Sequence, residues 1–556
     1  MKPNDYNISN EKFVLVGKNR RIRDKELATK PVSYLADAFS RFKKNKASIV
    51  AAVIIGILVL FALVGPMLSP YSVSYSDGNY KYTLPKNELF VSLGIKFWDG
   101  CKDKESTAQD FYYYYGIGEE TGLNAIVNQE YTVEKRLNNS RKEVSYYQYR
   151  VDTYKMAGVV FKNVTAEEYE RIQEYQDRTG IQIIYPITME YLRPTAEQDN
   201  SNANYWYATY LYEGKTRIKV DENKPVSEAY QNIYAKKMSL EEIEAYLDTL
   251  PEKTTAEKDY KNTASSQLKY MLTRGDGNYD SKRIDGDNGQ YYYALEKNSG
   301  YQIRVNYYEY YRYEHSELLK DGIEYPSFLF GTTHAGQDIF TCLASGARFS
   351  FLLAIIVASV NLFVGAIIGA IEGYYGGKID LIIERFIEIL SAVPFMVVIT
   401  LLKYHMEDSS QVLILFISFF LTGWIGMAGR TRMQFYRFKN QEYVLAARTL
   451  GASDSRIMFK HIFPNALGTL ITSCVLVIPS VIFSETSLSY LGIINLNSGD
   501  MTSVGTLLSN AQPYLVQYPH MIFFPALFIC LLMLSFNLFG NGLRDAFNPS
   551  LRGMED

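Results

Sequence analysis

Long charge-free apolar runs, set between polar and basic stretches, constrain this chain more than any other feature. Ala47–Gly65 holds nineteen residues without a charge, long enough to cross the hydrocarbon core of a bilayer. Phe349–Ile371 is a second such run, and Gln411–Gly429, Ala466–Ser484 and Met521–Phe539 are three more. Ile389–Leu402 is shorter and carries Pro394; it reads as a span starting near Ile382, with Glu384, Arg385 and Glu388 in its first turns, or as a re-entrant segment. Six spans make the chain an α-helical polytopic membrane protein.

Lys and Arg set the expected orientation. Lys18, Arg20, Arg21 and Arg23, then Arg41, Lys43, Lys44 and Lys46, precede span one. Arg430, Arg432, Arg437, Lys439, Arg448, Arg456 and Lys460 follow span four, against Glu442 and Asp454. Arg544 and Arg552 follow span six. Six crossings put all three segments on one side, which the charge bias makes the cytoplasm, with both termini there. The charged start of the chain lacks an apolar run, so no cleavable signal peptide is expected. Ser33–Asn45 places Leu35, Phe39 and Phe42 at helical spacing before basic residues, the pattern of a helix lying on the inner leaflet; the alternative is the first turn of a longer helix.

The mean hydropathy is slightly negative because the middle of the chain is unlike its ends. Of 47 Tyr, 37 fall between Tyr71 and Tyr325. Residues 71–330 therefore read as a polar α+β domain inserted between spans one and two, outside the cell. The expected divisions are 1–46, a cytoplasmic segment with the interfacial helix; 47–70, span one; 71–330, the insert; and 331–556, the remaining five spans with a polar loop at 431–465. Within the insert, Val144–Tyr154 and Tyr301–Tyr313 read as strands, with Asn298-Ser299-Gly300 turning the chain before the second. Thr165 with Glu168, and Ser239 with Glu242, begin two helices in capping-box fashion. Tyrosines in such a domain pack a sheet more often than they form a binding face. The acidic loops Asp276–Asp280 and Asp285–Gly289 have Ser281 where a calcium loop needs its turn glycine, so turns are the expected reading.

Several chemistries are absent from the sequence. No Gly-x-x-x-x-Gly-Lys-Ser/Thr occurs; Gly376-Gly377-Lys378 comes closest, with Glu372 for the first glycine and Ile379 after the lysine. No Cys/His cluster has zinc spacing, no nucleophile elbow appears, and Cys101 is alone in the insert. A net charge of −3 points to no nucleic-acid partner. The chain is expected to have no catalytic, cofactor or metal site of its own.

Residues 442–465, EYVLAARTLGASDSRIMFKHIFPN, stand out between two apolar spans. They read as a helix, a turn at Gly451 and a second helical run closed by Pro464. The Ala446-Ala447-x-x-x-Gly451 core resembles the coupling loop of ABC importer permeases. Asn45-Lys46-Ala47 through Pro66–Tyr71 resembles the first span of the C-type subunit of oligopeptide and dipeptide permeases. Phe330-Gly331-Thr332, Gly336-Gln337-Asp338, Gly346–Ser350, Glu485–Gly492 and Asn541–Asp545 resemble later blocks of that family, in its order. Two positions depart from it: Thr333 and Gln337 stand where the family usually has Asp and Arg. The family also has a short loop where this chain has its large insert.

The resemblance implies a type I ABC importer permease fold. The subunit would pair with a homologous permease, two ATP-binding subunits that hold ATP and magnesium, and an extracellular substrate-binding lipoprotein, in the plasma membrane of a bacterium. It would form half of a pathway for oligopeptides or dipeptides; nickel or another small solute is the alternative cargo, and a membrane-anchored receptor the alternative class. In the coupling loop, Gly451 would permit the turn, Ala446 and Ala447 would let the helix sit close to its partner, and Glu442, Arg448, Asp454 and Arg456 would supply docking charges.

Overall fold

The structure, a computed structural model, describes residues 34–137, 141, 143–187, 237–275, 289–496 and 501–547. The basic run from Lys18 to Arg23, the acidic loops at 276–288 and Arg552 lie outside those residues.

Among the described residues, five helices are long and apolar enough to cross a membrane: Lys46–Leu68, Ile339–Tyr375, Gln411–Phe438, Asp454–Tyr490 and His520–Phe547. They serve as spans one, two, four, five and six. Between spans two and four lie Gly377–Ser391 and Phe395–His405, bent by 74°. Pro394 causes the break, because its ring disfavours helical backbone at the residue before it and it has no N–H to donate. The segment starts at Gly377, earlier than the sequence suggested.

Packing registers decide whether that bent pair crosses. Spans two and four are parallel: Gly365, Gly369 and Gly373 meet Trp424, Ala428 and Arg432 in the same order. Two parallel neighbours require the chain to recross between them, so the bent pair is one broken crossing. Spans two and five are antiparallel, with Tyr374 bonded to Asp454 at one end and Ser350 to Glu485 towards the other. Spans one and six are antiparallel too, since Ser48 donates to the Leu538 carbonyl while Phe61 meets Phe528. Six crossings satisfy all three registers.

The glycines of span two explain its closeness to span four. A Cβ added at Gly369 would lie 2.2 Å from the Ala428 carbonyl oxygen, and one at Gly373 2.8 Å from that of Arg432. Small residues every fourth position let helix backbones touch, and dispersion and close packing hold them there, since lipid supplies no hydrophobic drive.

The helix Tyr34–Lys44 is separate from span one: Asn45 breaks the backbone and accepts from the Ser48 amide to cap the next helix. Phe42 packs edge-on against Phe539 at 5.3 Å between centroids. Phe39, on the same helix, is left 60% exposed.

Between spans one and two the described residues build two antiparallel sheets. In the first, β1 (Cys101–Thr107), β2 (Ile126–Leu137) and β3 (Glu143–Asp152) lie in the order β1-β3-β2. In the second, β7 (Gly300–Asn306) pairs with β4 (Val159–Thr165), β5 (Ile184–Tyr185) and β6 (Ala294–Lys297). Asn298, at φ +57°, turns the β6–β7 hairpin. The helix Ala166–Thr179 is capped by Thr165 and stopped by left-handed Gly180, and Leu240–Asp248 starts with a full capping box from Ser239 and Glu242.

Tyr301–Tyr313 is not one strand. Asn306 ends β7 and its side chain accepts from the Tyr308 amide, capping a helix over Tyr307–Tyr313. Tyr307, Tyr310 and Tyr311 recur at helical spacing and are buried with Tyr71, Tyr80, Tyr154 and Tyr169 in one core. The tyrosines there are core, and hydroxyls among them are bonded inside it: Tyr311 donates to Tyr71 (3.1 Å) and Tyr307 to Asp77 (2.7 Å).

Candidate functional site

The polar hairpin after span four is built from two helices of unequal character. Glu442–Thr449 is a short helix. The Leu450, Gly451 and Ala452 amides donate back to the Ala446, Arg448 and Ala447 carbonyls, so the turn is closed by its own backbone. Gly451 takes φ +81°, the left-handed region that side chains disfavour, and nothing lies within 4 Å of where its Cβ would be. Ser453 then starts Asp454–Arg456, which runs on through a wide π turn, Ile457–Ile462, into Phe463–Tyr490.

Pro464 therefore does not close the second helical run. It stands in the first turn of the following α-helix, where a missing N–H is tolerated, and the π turn before it absorbs the offset. The second arm of the hairpin is continuous with span five.

The hairpin is fastened from beneath. Val444, Ile457, Met458 and Ile462 are buried against Ala370, Tyr374 and Phe435. The Tyr374 hydroxyl donates to Asp454 Oδ1 (2.5 Å) and accepts from Arg448 Nη2 (3.4 Å). Arg448 and Asp454 thus share a partner at the end of span two, which the sequence did not indicate. Glu442, Ala446 and Arg456 are exposed and Ala447 half-buried. Between them Leu450 is 87% exposed and Phe459 54%, so the hairpin presents apolar side chains beside charges on a polar face.

Behind the hairpin, Arg432 of span four grips Asp380 through Nε (2.6 Å) and Nη2 (2.9 Å) and lies 3.5 Å from Glu384. Deeper, Glu485 of span five is fully buried and accepts from Ser350 (2.9 Å) and Ser489 (3.0 Å). A carboxylate inside a span is costly unless bonded, and these serines of spans two and five supply the bonds. On the opposite face, Lys403 of the broken span donates to the Ile493 carbonyl (2.6 Å).

On that same opposite face, Thr333 and Gln337 hold the chain between the two sheets and span two. Gln337 Nε2 donates to the Val73 carbonyl (3.0 Å), and the Thr333 carbonyl accepts from the Tyr82 amide (3.2 Å). Gly336, at φ +80°, lies so close that a Cβ would sit 1.8 Å from the Asp77 carbonyl oxygen. Asp338 caps span two, accepting from the Thr341 amide (3.0 Å) and from Ser69 (3.4 Å). Burial pushes its carboxyl above the usual range, opposed by those hydrogen bonds.

Among the described residues no group of three or more His, Cys, Asp or Glu has the geometry of a metal site.

Residues 361–553 match the family described as "Binding-protein-dependent transport system inner membrane component", and residues 33–85 match the "N-terminal TM domain of oligopeptide transport permease C". The chain is 44% identical over 223 residues to the oligopeptide transport system permease protein OppC of Bacillus subtilis (strain 168), covering 40% of this chain and 72% of that one. It is 39% identical over 224 residues to the dipeptide transport system permease protein DppC of the same organism, covering 40% and 69%. A solved chain of the MetNI methionine ABC transporter, inward facing, aligns at 14% identity over 37% of this chain and 96% of that one, with a TM-score of 0.31.

Proposed function

The chain belongs to the oligopeptide and dipeptide transport permeases of binding-protein-dependent systems, and from that premise we propose that it forms half of a peptide pathway across the membrane and takes its drive from ATPase subunits at the Gly451 hairpin. The observation that carries the reading is the double attachment of that hairpin. Its second arm is continuous with span five, and Tyr374 ties both arms to span two. A push on the hairpin therefore reaches two spans at once. Those same spans meet again at Glu485 and Ser350, which gives the movement a second point of contact deep in the bundle.

The energy source and the delivery of cargo lie in other chains. ATP and magnesium belong to two ATP-binding subunits, the second half of the pathway to a homologous permease, and substrate capture to an extracellular lipoprotein. The exposed Leu450 and Phe459, beside Glu442 and Arg456, fit a docking surface with an apolar centre and charged surroundings.

The charge bias supports placing the hairpin and both termini in the cytoplasm, with the two-sheet domain outside the cell. Cysteines at Glu244 and at Ser453, each introduced after Cys101 and Cys530 are replaced by serine, test this. Glu244→Cys is expected to react with an impermeant thiol reagent on intact cells and Ser453→Cys only after permeabilisation. The reverse pattern overturns the orientation.

Uptake decides the cargo. A strain lacking the gene is expected to lose uptake of labelled oligopeptide or dipeptide and keep uptake of labelled nickel, with both restored to parental levels by the gene. Loss of nickel uptake alone assigns the other cargo. Purification of the chain without any ATPase removes the transport reading altogether.

A further inference from the structure

The segment Asn87–Trp98 forms a small lobe at the foot of the two-sheet domain. Its neck is closed by the Asn87 amide donating to the Trp98 carbonyl (2.9 Å) and by a bridge between Lys86 and Asp99. Inside it, Asn87 caps the short helix Glu88–Ser92 by accepting from the Leu89 and Phe90 amides. The Val91, Leu93, Gly94, Ile95 and Trp98 amides donate to carbonyls of the lobe itself. A segment that meets its own backbone needs in this way can leave water.

Its side chains are arranged the wrong way for water. Leu89 is 65% exposed and Leu93 67%, with Val91, Ile95 and Phe97 also exposed. The lobe has two charges, Glu88 and Lys96, both near the neck, and none from Leu89 to Ile95. A closed, hydrogen-bonded loop with an apolar tip and charges at its base is built to enter something apolar.

Its position says what. Phe97 packs on Phe523 (6.1 Å between centroids) and Phe524 (6.0 Å), and Trp98 on Phe524 (6.3 Å). Those phenylalanines stand in the second turn of span six. The apolar run Met521–Phe539 is nineteen residues long. At ~1.5 Å per residue it spans ~28 Å, close to the ~30 Å hydrocarbon core. Phe523 and Phe524 are therefore at the edge of the core. Just above, Tyr82 stacks on Tyr518 (4.5 Å between centroids) and packs at a tilt against Tyr514 (5.0 Å), at the level where aromatic belts sit. The apolar surface of the lobe continues that of span six, whose Phe523, Leu527 and Leu534 are themselves exposed.

We propose that Asn87–Trp98 is a membrane-dipping foot, which inserts Leu89, Val91, Leu93, Ile95 and Phe97 into the boundary of the bilayer leaflet on the side of the two-sheet domain. Lys96 stretches back to the headgroups, and Trp98, its indole N–H donating to the Leu329 carbonyl (2.8 Å), fixes the foot to the chain that leads into span two. The occupant is lipid, and the foot gives the soluble domain a third point of attachment beside spans one and two.

A nitroxide at Leu93→Cys tests this. The full chain, with its four cysteines replaced by serine, is purified with its accompanying subunits and placed in vesicles of phosphatidylethanolamine and phosphatidylglycerol. Relaxation by dissolved oxygen, which concentrates in lipid, is compared with relaxation by a water-soluble nickel chelate. The same label at Glu244→Cys is the aqueous reference. The Leu93 label is expected to gain oxygen relaxation and lose nickel relaxation relative to that reference. Nickel access equal to the reference means the foot is in water, and shielding from both reagents means a protein covers it; either result overturns the proposal. If Leu93→Cys fails to assemble, Ile95→Cys reports on the same surface. Adding Leu89→Asp to the Ile95→Cys chain is expected to move that label into water while the chain stays assembled; an unmoved label also overturns it.

Discussion

Gly451→Pro is expected to leave the chain in the membrane and abolish transport. Gly451 holds φ +81° and donates its amide to the Arg448 carbonyl at 3.0 Å. Proline fixes φ near about −65° and has no N–H, so both requirements fail together. The arms of the hairpin then lose their relative direction. Val444 and Ile457 are buried under them, so the protein is expected to keep its membrane fold while the hairpin loses its shape. Gly451→Ala separates geometry from bulk. No atom lies within 4 Å of the added Cβ, so its cost is the left-handed backbone alone, about 1–2 kcal/mol, and a partial loss of uptake is expected. Uptake and ATPase co-purification at matched membrane levels measure both. Full uptake by Gly451→Pro removes the hairpin from the mechanism. Reversing Arg448 and Arg456 together acts differently: Arg448→Glu puts a carboxylate beside Asp454 and Tyr374, whereas Arg456→Glu alters only the exposed surface.

The sequence carried the local rules well. A charge-free run needs no partner to be identified as a span, since its length and the bilayer thickness decide the matter. Caps are equally local: Ser239 and Glu242 close a reciprocal box, and Gly180 stops its helix in the left-handed region. Thr165 shows where locality ends. It caps its helix through the Glu168 amide, yet the Glu168 carboxylate accepts from Tyr310 (2.9 Å), a residue 142 positions away. The run Tyr301–Tyr313 misleads because tyrosine suits a strand and a helix face equally. Only Asn306, a good cap, marks the change of period.

Pro464 misleads for a related reason. Proline usually ends a helix, but a helix that has just widened into a π turn can restart around it. The glycines at 365, 369 and 373 stand at four-residue spacing, a pattern that goes with close helix contact. The identity of the partner helix is non-local, and only the fold supplies it. Thr333 and Gln337 are departures from the family pattern whose reason also lies elsewhere in the chain. Both contact the segment Val73–Tyr82, which the two-sheet domain brings to that face.

Arg304→Met is expected to unfold the two-sheet domain while the spans persist. Arg304 lies on β7, the central strand of its sheet, and its side chain is fully buried. It bonds both carboxylate oxygens of Glu120, Nη2 at 2.6 Å, and its Nη1 donates to the Pro186 carbonyl (3.0 Å). Glu120 comes from the last turn of the helix Ala108–Thr121, an end where a negative charge is unfavourable without a cation. The pair joins the helix of the first sheet to the centre of the second, 184 residues apart. Removing the guanidinium strands a carboxylate whose side chain is only 2% exposed, at a cost of about 3–5 kcal/mol. Arg304→Lys is expected to fail partly, because an ammonium cannot make the two-pronged contact. Arg304→Met with Glu120→Leu is expected to recover most of the loss, since an apolar pair leaves no charge buried. Limited proteolysis of the domain and its thermal midpoint, read alongside the helical signal of the spans, separate these cases. A domain as stable with Arg304→Met alone as with the native pair shows that the two sheets are held together by other contacts.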